Sequence, residues 1–153
     1  MIEIRATSRI HAPPSRVWEF VADHESFLAG GDELTCEIVT EGAPDRNGLG
    51  AMRVVKSSGI EFREEITSFE PDSRYEYRIR SLTGPMGFTV PMTHLRGWVE
   101  LTTDGEATEV VWGSRFRIDL FVVARMLERQ LGRELESAFD ILLERARRVV
   151  ERG

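Results

Sequence analysis

Six short runs with strand character follow one another between Glu33 and Ile118, and that succession leaves no room for a helical fold in the middle of the chain. The runs are ELTCEIVTEG, GAMRVVKSS, IEFREEITSFEP, SRYEYRIRSL, HLRGWVELTT and ATEVVWGSRFRI. Their β-branched and aromatic residues suit a pleated surface. Turn signals separate them: Pro44-Asp45 with Asn47-Gly48, Ser58-Gly59, Pro71-Asp72 and Asp104-Gly105. Connections this short make the six an antiparallel meander. A seventh strand, Ile2 to Ile10, precedes them.

Helical periods occupy the rest. Two prolines open a first short helix with Val17, Phe20 and Val21 on one stripe, and Asp23 to Gly30 forms a second, closed by Gly30-Gly31. After Asp119 the period is helical to the end. Val123, Leu127, Leu131, Leu135, Ala138, Leu142 and Val149 fall on one stripe, with Arg125, Arg129, Arg133, Glu136, Asp140 and Glu144 off it. Some thirty residues at ~1.5 Å rise reach roughly 45 Å, enough to cross seven strands spaced ~4.8 Å apart. One long helix and two short ones at a single end cannot fill a curved concavity, so a hollow is expected between sheet and helix.

The only long connection, GPMGFTVPMTH (residues 84 to 94), is irregular yet apolar. Loops ordinarily face water. Met86, Phe88, Val90 and Met92 are therefore expected to cover the open end of the hollow.

With 41% apolar residues, positions 1–153 are expected to form one domain around one core. A net charge of −6, with no arginine cluster interleaved with aromatics, argues against a nucleic-acid groove. No window approaches the eighteen apolar residues of a membrane span, and the N-terminus lacks a signal-peptide core, so a cytoplasmic location is expected. Cys36, the only cysteine, excludes an internal disulfide and reads as hydrophobic filler. His11, His24 and His94 fall on different elements without metal-ligand spacing, and no cofactor is expected.

The order strand, two short helices, six strands, long helix resembles the helix-grip (SRPBCC) superfamily. That group includes the START domains, the birch-pollen-allergen proteins and the polyketide cyclase-like proteins. IHAPPSRVWEFVADHESF, GLGAMRVV, EEITSFEPDSRYEYRI and ATEVVW after Asp104-Gly105 carry the resemblance over nearly the whole chain. It implies an α+β fold: a seven-stranded curved antiparallel sheet wrapped around the long C-terminal helix, with two short helices between the first two strands. It also implies a cavity for a small hydrophobic molecule such as a polyketide, lipid, isoprenoid or quinone. A catalytic set is not implied, because members share the cavity and not a reaction.

Strand alternation selects the polar candidates. In IEFREEI, Glu64 shares a face with Ile60, Phe62 and Ile66; it is either an inward carboxyl available for proton transfer, or it sits at a bulge or pairs with a neighbouring arginine. In HLRGWVELT one face carries Leu95, Val99 and Leu101 and the other His94, Arg96 and Trp98, and either could line the cavity. Tyr77, Trp112, Ser114 and Phe116 are expected to face inward, and Met126 and Gln130 lie towards the middle of the long helix. Gly132 there suggests a kink or close packing against the cavity.

The leading expectation is a monomer or homodimer that binds a small hydrophobic ligand through Phe62, Glu64, Tyr77, Met86, Phe88, Met92, His94, Arg96, Trp98, Trp112, Phe116, Met126 and Gln130. The alternative is a cyclase, aromatase or dehydratase in which Glu64, His94 or Tyr77 moves a proton.

Overall fold

The computed structural model describes residues 1–30 and 33–153. The chain runs β1 (Ile2–Ile10), α1 (Pro14–Val21), α2 (His24–Phe27), β2 (Leu34–Thr40), β3 (Met52–Ser57), β4 (Ile60–Glu70), β5 (Arg74–Thr83), β6 (Met92–Asp104), β7 (Ala107–Ile118) and α3 (Ala124–Arg152). All pairings are antiparallel, in the order β1-β7-β6-β5-β4-β3-β2. The meander therefore holds, and β1 closes onto its last strand. This is the α+β helix-grip arrangement.

Local chemistry sets the register. Ser58 and Gly59 take φ of 48° and 84° between the paired residues Ser57 and Ile60. A two-residue loop with both φ positive matches the twist of the flanking strands, and it fixes every pairing along β3 and β4, including Arg53 opposite Glu64. α1 starts on Pro14 and buries Val17, Trp18 and Val21, whereas Phe20 is only half-buried. Trp18 meets Tyr75 edge-on at 5.9 Å and Phe69 at 5.3 Å. α2 is one turn, shorter than the Asp23–Gly30 stretch suggests; Gly31 lies outside the described residues.

α3 crosses the concave face. It begins at Ala124 and not directly after Asp119: Val123 takes φ 60°, and Phe121 and Val122 are left exposed. Its buried face also differs from the expected stripe. Glu128, Gly132, Phe139, Leu142, Leu143, Ala146 and Val150 are buried, while Val149 is exposed. Steps of four residues overshoot a 3.6-residue turn, so a run read at i+4 drifts off the face. Gly132 packs against β1: a Cβ there would stand 3.0 Å from Cδ1 of Ile2. Its close approach is to the sheet edge, not to the cavity. No helix among the described residues is long and apolar enough to cross a membrane.

Candidate functional site

A chamber of about 160 Å³ lies between the sheet and α3. Val55, Ile60, Phe62, Leu135 and Phe139 give it an apolar wall; Glu64, Tyr77 and Ser114 give it a polar one. A second hollow of about 260 Å³ adjoins it, sharing Ile60, Leu131 and Glu134 and bounded by Leu82, Val90 and Gln130. The second hollow lies against Gly84, Pro85 and Val90 of the long β5–β6 loop.

The polar wall begins with an ion pair. Arg53 Nε donates to Glu64 Oε1 at 2.7 Å, with the arginine side chain wholly buried and that of the glutamate 8% exposed. Arg53 Nη1 lies 3.0 Å from His24 Nδ1, and His24 Nε2 lies 2.9 Å from the Asn47 carbonyl. A carbonyl only accepts, so His24 carries its proton on Nε2 and accepts from Arg53 on Nδ1. Burial, with Arg53 next to it, holds the His24 pKa well below its usual value. Burial alone would lower the Arg53 pKa; the Glu64 carboxylate, with Tyr75, Cys36 and Tyr77 adding to it, outweighs this, and the net direction is upward. The guanidinium carbon sits 4.6 Å from the Tyr77 ring centre and 5.7 Å from that of Tyr75, while Nη2 has no hydrogen-bond partner among the described residues.

Tyr77 depends on a glycine. Its ring lies against Gly97 across the β5–β6 pair, where any Cβ would overlap it. The Tyr77 hydroxyl accepts from Trp112 Nε1 at 2.9 Å, and the indole stacks on Phe139 at 3.8 Å and 9°. Burial first, then Glu64, raises the Tyr77 pKa, so the phenol keeps its proton. Burial likewise pushes the Cys36 thiol up to about 12, leaving it inert.

His94 reaches the interior through a bulge. Register shifts between His94 and Arg96, so His94 points inward although Val99 and Leu101 are the core residues of the strand. Neither of the two faces read from alternation is therefore right as a set. Arg96 and Trp98 belong to the outer surface of the sheet, where Arg96 and Arg5 stack over the Trp98 ring at 4.6 Å and 5.4 Å and the ring lies on Gly113. His94 Nδ1 accepts from the Ile79 amide at 2.9 Å, and Nε2 lies 2.9 Å from Ser114 Oγ. Burial, then Arg78 and Arg53, lowers its pKa to about 4.

Of the residues expected to line the cavity, Phe62, Glu64, Tyr77 and Trp112 stand on the chamber wall and Gln130 borders the outer hollow. His94 stands behind Ser114, Phe116 is fully buried without bordering either space, and Met92 is half-buried against the core. Met86, Phe88 and Met126 are corrections: they are 93%, 70% and 58% exposed. The lid is made instead by Gly84, Pro85 and Val90, because a single 3₁₀ turn at Pro85–Gly87, with Met86 at φ 66°, throws Met86 outward. Arg53 and His24 are functional candidates that sequence reasoning passed over, and Ser114, expected only to face inward, stands on the chamber wall. The signal for Arg53 was its place on the Ala51–Arg53–Val55 face.

The family described as polyketide cyclase / dehydrase and lipid transport matches residues 1–147. No curated protein sequence matches the chain. Among solved structures, it is similar to the Zhui aromatase/cyclase from Streptomyces sp. R1128 at TM-score 0.68 and 19% identity, covering 97% of this chain and 95% of that one. It is similar to a START superfamily protein from Mycobacterium smegmatis at TM-score 0.70 and 14% identity, covering 98% and 97%. Ara h 8.0201 superposes at TM-score 0.74 and 13% identity, covering 99% of both. With the family matched along nearly its whole length, the chain belongs to the polyketide cyclase / dehydrase and lipid transport family.

Proposed function

We propose that the protein binds a small hydrophobic ligand, with one compact ring in the inner chamber and the remainder running out past Ile60, Leu131 and Glu134. The observation that carries this reading is the half-open, mainly apolar chamber with hydroxyls and a carboxylate on one wall, adjoining an outer hollow. A cavity of about 150 Å³ lined by aliphatic and aromatic groups stays dry and accepts benzene. The inner chamber alone is thus sized for a single ring. The two spaces together reach only the lower end of the roughly 300–1,000 Å³ usual for ligand sites, which favours compact ligands. Isothermal titration with alkylbenzenes and alkylated phenols, ketones and quinones tests this. Saturable binding of at least one series is expected, and no heat from any of them would refute it.

Catalysis of cyclase or dehydratase type is the second reading. The pairing of a Glu64 carboxylate and a Tyr77 hydroxyl on the wall of one chamber favours it, since these supply a proton acceptor and a proton donor. His94 takes no direct part, because both of its ring nitrogens are engaged. Turnover of a poly-β-ketone thioester that survives Glu64→Gln unchanged would remove this reading.

A further inference from the structure

We infer that the inner chamber recognises a neutral carbonyl oxygen, held jointly by the hydroxyls of Tyr77 and Ser114, and disfavours carboxylates. The inference rests on the ligand-binding reading above and narrows it to a chemical class.

Hydrogen-bond valence fixes the direction of both hydroxyls. An indole N–H can only donate, so Tyr77 Oη is the acceptor in its bond from Trp112 Nε1. The phenolic proton is left over, and no acceptor among the described residues takes it. A backbone amide only donates, so the bond from the Ile79 N–H obliges His94 Nδ1 to accept. The single proton of the neutral imidazole is then on Nε2 and is given to Ser114 Oγ. Ser114 accepts, and its hydroxyl proton too has no acceptor among the described residues. Two O–H donors, on residues 2% and 1% exposed, thus stand on the wall of the chamber with their protons unspent.

They belong to one layer of the sheet. The Tyr77 and His94 rings stack with centres 5.7 Å apart, and Trp112 and Ser114 are alternate residues of β7 on the same face. A buried donor without an acceptor is costly, and an oxygen with two lone pairs and no proton of its own satisfies both at once. A carbonyl is such a group. An ionised carboxylate would also accept, but it would enter a small chamber whose wall carries Glu64, with Glu134 at the boundary with the outer hollow. Glu64 Oε1 is already committed to Arg53. Arg53 does not border the chamber, and no arginine or lysine among the described residues lines it to compensate a second anion.

The test uses three probes of one skeleton, 4-butylacetophenone, butylbenzene and 4-butylbenzoate, titrated calorimetrically at pH 7.5 into the wild type, Ser114→Ala and Tyr77→Phe. Both variants delete only the hydroxyl. The ketone is expected to bind about tenfold more tightly than the hydrocarbon, the benzoate no better than the hydrocarbon, and each variant to lose several-fold for the ketone alone. The carbonyl carbon of ¹³C-labelled ketone should shift downfield when bound to the wild type and less so with either variant. Equal binding of ketone and hydrocarbon, tight binding of the benzoate, or an unchanged ketone preference in both variants overturns the inference while leaving hydrophobic binding intact. Failure of all three probes, butylbenzene included, overturns this inference, and joined by failure of the alkylated phenols and quinones it overturns the ligand reading as well.

Discussion

Replacing Arg53 by methionine removes the cation of a pair in which one side chain is wholly buried and the other 8% exposed. Breaking such a pair leaves an uncompensated buried charge and costs about 3–5 kcal/mol. Two smaller effects act on top. His24 Nδ1 loses a donor, at about 1 kcal/mol, and the unpartnered Nη2 disappears, returning about 1–3 kcal/mol. The net loss is about 3 kcal/mol, within about 1–5, a large part of the roughly 5–15 kcal/mol that holds a domain of this size. The double variant Arg53→Met, Glu64→Leu removes both charges, and apolar replacement of a whole buried pair is often neutral; it should be more stable than Arg53→Met alone by about 2 kcal/mol or more. Urea unfolding followed by far-UV circular dichroism reads both, with unchanged m values as the check on two-state comparison. A double variant no more stable than Arg53→Met would refute the reasoning, because the penalty would then not come from a stranded Glu64.

Further outcomes follow from the same geometry. The His94 pKa of about 4 lies below the 6.5 of an unhindered imidazole, so the unfolded chain binds more protons between these values. Stability is then full above about pH 6.5 and falls by up to about 1.4 kcal/mol per pH unit as pH drops toward 4; urea melts of His94→Gln should show a shallower slope, and an equal slope would count against it. Gly97→Ala should destabilise by about 1–3 kcal/mol or more through overlap with the Tyr77 ring and shift the Trp112 indole N–H resonance; an unmoved resonance would show that Tyr77 adapts elsewhere. Phe88→Ser, at a 70% exposed position, should leave thermal stability within about 0.5 kcal/mol of the wild type, and a larger drop would mean that Phe88 is covered in solution.

The strand order and the long helix were legible because alternation and turn chemistry act locally. The site was legible only where alternation ran undisturbed. Phe62 and Glu64 could be placed together on β4, whereas the bulge between His94 and Arg96 separated two residues that alternation puts on one face. A bulge inserts one residue at no cost to composition, so nothing in HLRGWVELT announces it. Arg53 was recoverable: a two-residue Ser58-Gly59 turn sets Ser57 against Ile60 and so Arg53 against Glu64. The outward turn of Met86 was not, since it depends on one backbone angle inside an irregular loop.

The placing of the indoles gives the protein an optical gauge of its own interior. Of three tryptophans, Trp98 lies under arginines on the outer face and Trp18, in α1, packs against Phe69 and Tyr75, while Trp112 alone borders the chamber, stacked on Phe139 and bonded to Tyr77. A guest that settles against that wall changes the surroundings of one fluorophore in three. Its emission can be followed against two nearly constant neighbours, with no dye attached and no residue changed.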